Sequence, residues 1–74
     1  MSFHQELRSR RMAAGFTQQQ LSERLGVKQS VVSLYEKGSN MPSLDVLIKM
    51  ADVLHCSIDD LVRNGNGVTD AAVG

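Results

Sequence analysis

Apolar residues recur three and four positions apart along most of the chain, and polar caps or glycines interrupt each run. That pattern predicts helices throughout. The first spans 3–13: Ser2 can cap it, Phe3, Leu7 and Ala14 fall at helical spacing, and Gly15 supplies the residue past its end. The second opens on Thr17, with Gln20 placed to complete a capping box. Phe16, just before that cap, can staple onto Leu21, and Leu21 and Leu25 share a buried face four residues apart. Gly26 ends this helix because a sharp reversal favours positive φ, which glycine adopts cheaply. Val27 plugs the turn, and a third helix follows over 28–37 with Val32 and Tyr35 pointing inward.

Gly38 stops the third helix, and 39–42 form a loop. Ser43 caps a fourth helix, on which Leu44, Leu47, Ile48, Ala51 and Leu54 mark an amphipathic stripe. Ser57, with Asp60 three residues on, starts a short fifth helix that buries Ile58 and Leu61. After Val62 the chain turns to Asn-Gly-Asn-Gly and small residues. Asn64-Gly65 could seed a hairpin, but its flanks lack strand alternation. The expected organisation is one all-α domain over 1–63, then a small-residue tail over 64–74 that is flexible or contributes to dimerisation.

With 74 residues the chain holds one domain at most, and 42 % hydrophobic content is enough to fill a helical core unaided. The single Cys56 cannot form an internal disulfide, and no Cys/His cluster has metal-ligand spacing. A reducing, cytoplasmic setting fits, with no metal and no cofactor. No charged leader precedes an apolar run, and no apolar stretch approaches ~18 residues, so neither secretion nor membrane spanning is expected. His4 and His55 have no nucleophile, metal partner or acid at a meaningful spacing, so no catalytic site and no enzyme is expected.

Charge at first argues against a nucleic-acid partner, because 8 Lys+Arg balance 8 Asp+Glu. The distribution argues back. Arg8, Arg10 and Arg11 crowd the first helix, while Asp52, Asp59, Asp60 and Asp70 lie in the second half. A local patch, not the total, meets phosphate. The second and third helices with their tight turn, residues 17–36, form a unit whose outer helix opens on small polar residues able to enter a DNA groove.

Several runs carry a likeness. Residues 10–27, Arg-Arg-Met-Ala-Ala-Gly-Phe-Thr-Gln-Gln-Gln-Leu-Ser-Glu-Arg-Leu-Gly-Val, are followed by Ser33-Leu34-Tyr35-Glu36-Lys37-Gly38, Asn40-Met41-Pro42-Ser43-Leu44 and Leu54-His55-Cys56-Ser57-Ile58-Asp59-Asp60-Leu61. In order and spacing they resemble the Cro/C1-type helix-turn-helix family, also called the XRE family, of phage repressors and small bacterial regulators. The likeness covers residues 3–63. It implies a compact five-helix, lambda-repressor-like DNA-binding domain with the helix-turn-helix formed by helices 2 and 3.

The resemblance also implies roles. Gln29, Ser30, Val31, Ser33 and Leu34 would read base edges; Gln can bond bidentately to adenine, and Val31 and Leu34 could pack on thymine methyls. Arg10, Gln18, Gln19, Lys28, Lys37, Ser39 and Asn40 would hold the DNA backbone. Arg11 and Glu36 would form a structural ion pair tying helix 1 to the end of helix 3. Ile58, Leu61, Val62, Val68 and Val73 would supply a homodimer contact, matched to a two-fold double-stranded operator. The chain departs from the family at three positions. Val31 and Leu34 stand where Thr and Arg are frequent, and Lys28 replaces a Ser or Thr cap. A lysine at a positive helix terminus is unfavourable by a few tenths of a kcal/mol, a penalty that an approaching phosphate removes. Zero net charge and apolar Val31 and Leu34 support a different reading, a protein-interaction module such as an antitoxin or anti-repressor.

Overall fold

Four of the five helices begin where a side chain can satisfy the free amides of a first turn. The computed structural model describes residues 2–66, and for 63–66 the backbone alone. The helices are α1 (Phe3–Ala13), α2 (Gln18–Leu25), α3 (Gln29–Lys37), α4 (Leu44–Val53) and α5 (Ile58–Asn66). Ser2 and Gln5 exchange bonds across the first turn of α1, as do Thr17 and Gln20 on α2 at 3.0 and 2.9 Å. At the start of α5, Asp60 N donates to Ser57 Oγ at 2.9 Å while Ser57 N donates to Asp60 Oδ2. Ser43 accepts from Val46 N at the start of α4. The exception is α3, whose N-cap, Lys28, makes no side-chain capping bond.

Helix ends rest on backbone that turns left-handed. Gly26 and Gly38 take φ of 75° and 81°. Gly38 is also a close approach, because a Cβ there would lie 3.0 Å from Nδ1 of His4. After α4 the same conformation falls to a non-glycine, His55, at φ 55°.

The helices pack so that α1 lies against α3 and α5, α2 against α3 and α4, and α4 against α5. Leu7, Leu21, Leu25, Val32, Met50 and Leu61 are fully enclosed at the centre. Burial of each such side chain is worth about 1.5–3 kcal/mol. Phe16 leans on this cluster from the α1–α2 turn and carries the Arg24 guanidinium 5.2 Å from its ring centre.

Several expectations are corrected. Leu44 and Ile48 are not in the core stripe of α4: they are 64 % and 50 % exposed, and Met50 takes the inward position with Leu47, Ala51 and Leu54. Successive helical residues turn by about 100°, which puts Leu47, Met50 and Leu54 on one narrow face and leaves the other two beyond its edge. Ala14 is exposed as the C-cap of α1. Leu61 is fully buried in the core, so it has no surface to give a dimer. Residues 64–66, including Asn64-Gly65, continue α5 as helix. Val68 and Val73 lie outside the described residues.

Candidate nucleic-acid interface

Because α3 buries Val32 and Tyr35, its opposite face turns to solvent. Gln29, Ser30, Leu34 and Lys37 are exposed, with Ser33 and Glu36 half-buried along the side nearest α1. Val31 is half-buried and packs against the core. Lys28 stands exposed at the N-terminus of α3, and Ser39 and Asn40 are exposed beyond its C-terminus, their amides bonded to the Leu34 carbonyl.

A polar chain runs from this face into the fold. The Gln29 amide donates from Nε2 to Gln18 Oε1 at 2.9 Å, and Gln18 Nε2 donates to Glu36 Oε1 at 3.1 Å. Arg11 holds the same carboxylate twice, Nε to Oε2 at 2.6 Å and Nη2 to Oε1 at 3.2 Å, and gives Nη1 to the Phe16 carbonyl. The ion pair is largely shielded, the side chains of Arg11 and Glu36 being 12 % and 4 % exposed. Shielding strengthens the bonds and raises the cost of removing either partner. The direction of the chain follows from its acidic end. A carboxylate can only accept, so Gln18 must donate to it and turn its carbonyl toward Gln29.

The three arginines of α1 do different things. Arg11 is tied to Glu36 as described. Arg10 donates to Glu6 Oε2 at 2.7 Å and sits on the α5 side, near Cys56 and Asp60. Burial pushes the Cys56 thiol up, and Arg10 partly offsets this. Arg8, absent from the expected site residues, lines a notch of about 260 Å³ with Arg11, Gln18, Ser33, Glu36 and Lys37. Helical spacing contains the signal: Arg8 lies three residues before Arg11 and shares its face, whereas Arg10 points elsewhere. Gln19 is exposed and donates to Glu23 at 3.1 Å within α2. Among the described residues no group of three or more His, Cys, Asp or Glu is placed to hold a metal ion, and no helix is long and apolar enough to cross a membrane.

Residues 7–61 match the helix-turn-helix family. The chain belongs to that family. Its relatives within the helix-turn-helix family include the transcriptional repressor RstR of the cryptic phage CTXphi from Vibrio cholerae, 34 % identical over 95 % of this chain and 61 % of the relative. The regulator ImmR of Bacillus subtilis is 32 % identical over 84 % of this chain and 49 % of its own length. The chain thus spans less than two thirds of either protein. In three dimensions it is similar to the P22 c2 repressor in complex with a synthetic operator. That match has a TM-score of 0.83 at 26 % identity, covering 89 % of this chain and 98 % of that one. The restriction-modification controller protein C.AhdI of Aeromonas hydrophila gives a TM-score of 0.75 at 34 % identity, over 80 % of this chain and 89 % of that one. This all-α helix-turn-helix domain places α2 and α3 as the motif.

Proposed function

We propose that the protein binds double-stranded DNA sequence-specifically in the cytoplasm and represses transcription by occupying an operator. The observation that carries the reading is the pairing of an outward α3, polar along its exposed face, with the likeness to a repressor held on its operator. Helix α3 enters the major groove; Gln29, Ser30 and Leu34 meet base edges, with Val31 and Ser33 beside them. Gln29 is prepared for adenine: Gln18 occupies one of its amide hydrogens, and the remaining N–H and the carbonyl match N7 and N6. Gln18, Gln19, Lys28, Lys37, Ser39 and Asn40 hold the backbone on either side. Arg10, held by Glu6 on the α5 side, is left out of this set.

A single module covers about 600–1,000 Å² of protein surface, so useful affinity calls for two copies on a two-fold site. With Leu61 in the core, Ile58 and Val62, both half-buried, are what α5 offers to that contact. A mobility shift with the DNA upstream of the gene tests the proposal. Gln29→Ala is expected to cost ~1–3 kcal/mol on the operator and much less on random DNA. If Gln29→Ala leaves both unchanged while abolishing binding to a cognate protein, α3 is a protein-docking surface and the DNA reading fails.

A further inference from the structure

Arg8 and Lys37 have no hydrogen-bond or ion-pair partner among the described residues, although both line the notch between α1 and α3. The carboxylate that could neutralise them, Glu36, is already held twice by Arg11 and once by Gln18. The notch is therefore lined by three cations against one carboxylate, and that carboxylate turns its acceptors inward. Ser33 adds a hydroxyl with no partner of its own. Two unpaired cations that line one notch repel each other, and an anion seated between them offsets that repulsion.

We propose that this notch is a seat for a phosphate group, and that in use the group is a backbone phosphate of the DNA lying along α3. The inference rests on the DNA-binding reading and extends the contact to α1, outside the two-helix motif. The fork of the Arg8 guanidinium matches two phosphate oxygens, Lys37 supplies a point charge from α3, and the Ser33 hydroxyl donates a third bond. Position favours a duplex over a free anion. Ser33 and Lys37 lie on the same outward face as Ser30, so a strand following α3 passes over the notch. Between half and two thirds of protein–DNA hydrogen bonds go to phosphate and sugar, so a cationic seat beside a reading helix has an abundant occupant.

The test compares Arg8→Ala with Arg10→Ala, which remove equal charge from the same helix on opposite sides. Binding of a random-sequence duplex and of the upstream DNA is measured between 50 and 200 mM salt. Loss of one phosphate contact lowers the slope of log affinity against log salt by ~0.9. Arg8→Ala should therefore bind both DNAs more weakly at low salt, and its deficit should shrink roughly threefold over that range. Arg10→Ala should stay near wild type. Equal losses in the two variants would show a diffuse field with no seat and overturn the proposal. An unaffected Arg8→Ala alongside a weakened Gln29→Ala would overturn it while leaving DNA reading intact. In a parallel arm, inorganic phosphate is titrated into the wild-type protein at low salt and followed by NMR. Shifts centred on Arg8, Ser33 and Lys37 that vanish in Arg8→Ala support the seat. If those shifts appear while DNA binding ignores Arg8, the occupant is free phosphate and the duplex assignment is wrong. If the wild-type chain binds no duplex at any salt, the DNA-binding reading falls. A phosphate titration without shifts at the notch then removes the seat as well.

Discussion

Glu36 shows how one side chain can join the packing of α1 and α3 to the polar surface of α3. Its side chain is 4 % exposed, accepts from Arg11 and Gln18, and through Gln18 sets which way the Gln29 amide faces. Removing it strands Arg11 in a shielded place, where the desolvation of an unpaired charge outweighs the lost Coulomb energy. Glu36→Ala is expected to lower stability by roughly 2–4 kcal/mol in a denaturant titration, while Glu23→Ala, exposed on α2, should stay within about 0.5 kcal/mol. Equal losses would mean that the pair contributes no more than a surface contact. The conservative Glu36→Gln should weaken the hold on Arg11 and free Gln18 to turn over. The discrimination between adenine and other bases at the Gln29 position should then narrow, because the amide order is no longer imposed.

At the level of the helices, much could be read from the chain because capping is local chemistry. Ser2 with Gln5, Thr17 with Gln20 and Ser57 with Asp60 each announce a start within four residues, and each pair is bonded in the fold. What stayed hidden depends on how helices meet. Periodicity marks a broad stripe on α4, but which edge of it a neighbour covers is a tertiary fact, so spacing alone admits Leu44 and Ile48 to the core and passes over Met50. Helical spacing parts Arg8 from Arg10, but which of the two faces α3 and which faces α5 is again a tertiary fact. The left-handed His55 carried no sequence signal, since glycine is the usual occupant of that conformation. Relieving its strain, about 1–2 kcal/mol, against the backbone entropy of glycine, about 0.5–1 kcal/mol, predicts that His55→Gly gains roughly 0.5–1 kcal/mol. Thermal denaturation checks this, and a loss would show that the imidazole makes a compensating contact.

A pH dependence belongs to the same scale. The Ser57 amide, and after it the Ser57 hydroxyl, hold the Asp60 carboxyl below its usual range, against a small opposing effect of desolvation. A carboxyl whose folded pKa is depressed contributes stability above its unfolded value, about 3.9, and loses it as pH falls through the folded value. The start of α5 should therefore loosen below about pH 4, seen as falling helical NMR shifts at 58–61. Asp60→Asn should not show that step.

Across the whole molecule, binding strength depends on how many contacts act together. Two copies on a two-fold site would set their α3 helices about 34 Å apart, one turn of DNA. The outer face of α4 adds Leu44 and Ile48, each at least half exposed, with Met41 at 56 % just before it. Large apolar residues this exposed and this near one another commonly mark a contact with another surface. Sedimentation at tens of micromolar should report a dimer with operator DNA present, and Ile48→Lys should shift it toward monomer if α4 shares in the contact. A strict monomer with and without DNA would require another source of affinity.

The open N-terminus of α3 has a dynamic consequence. The amides of Gln29 and Ser30 have no acceptor among the described residues, while the far end of the helix is pinned by Gly38 against His4 and by Glu36. The helix is thus fastened at one end and free to fray at the end that would reach DNA first. In native-state hydrogen exchange, amides 29 and 30 should exchange orders of magnitude faster than that of Tyr35. Duplex binding should slow them most of all, because ordering this turn would be part of the entropy cost of recognition.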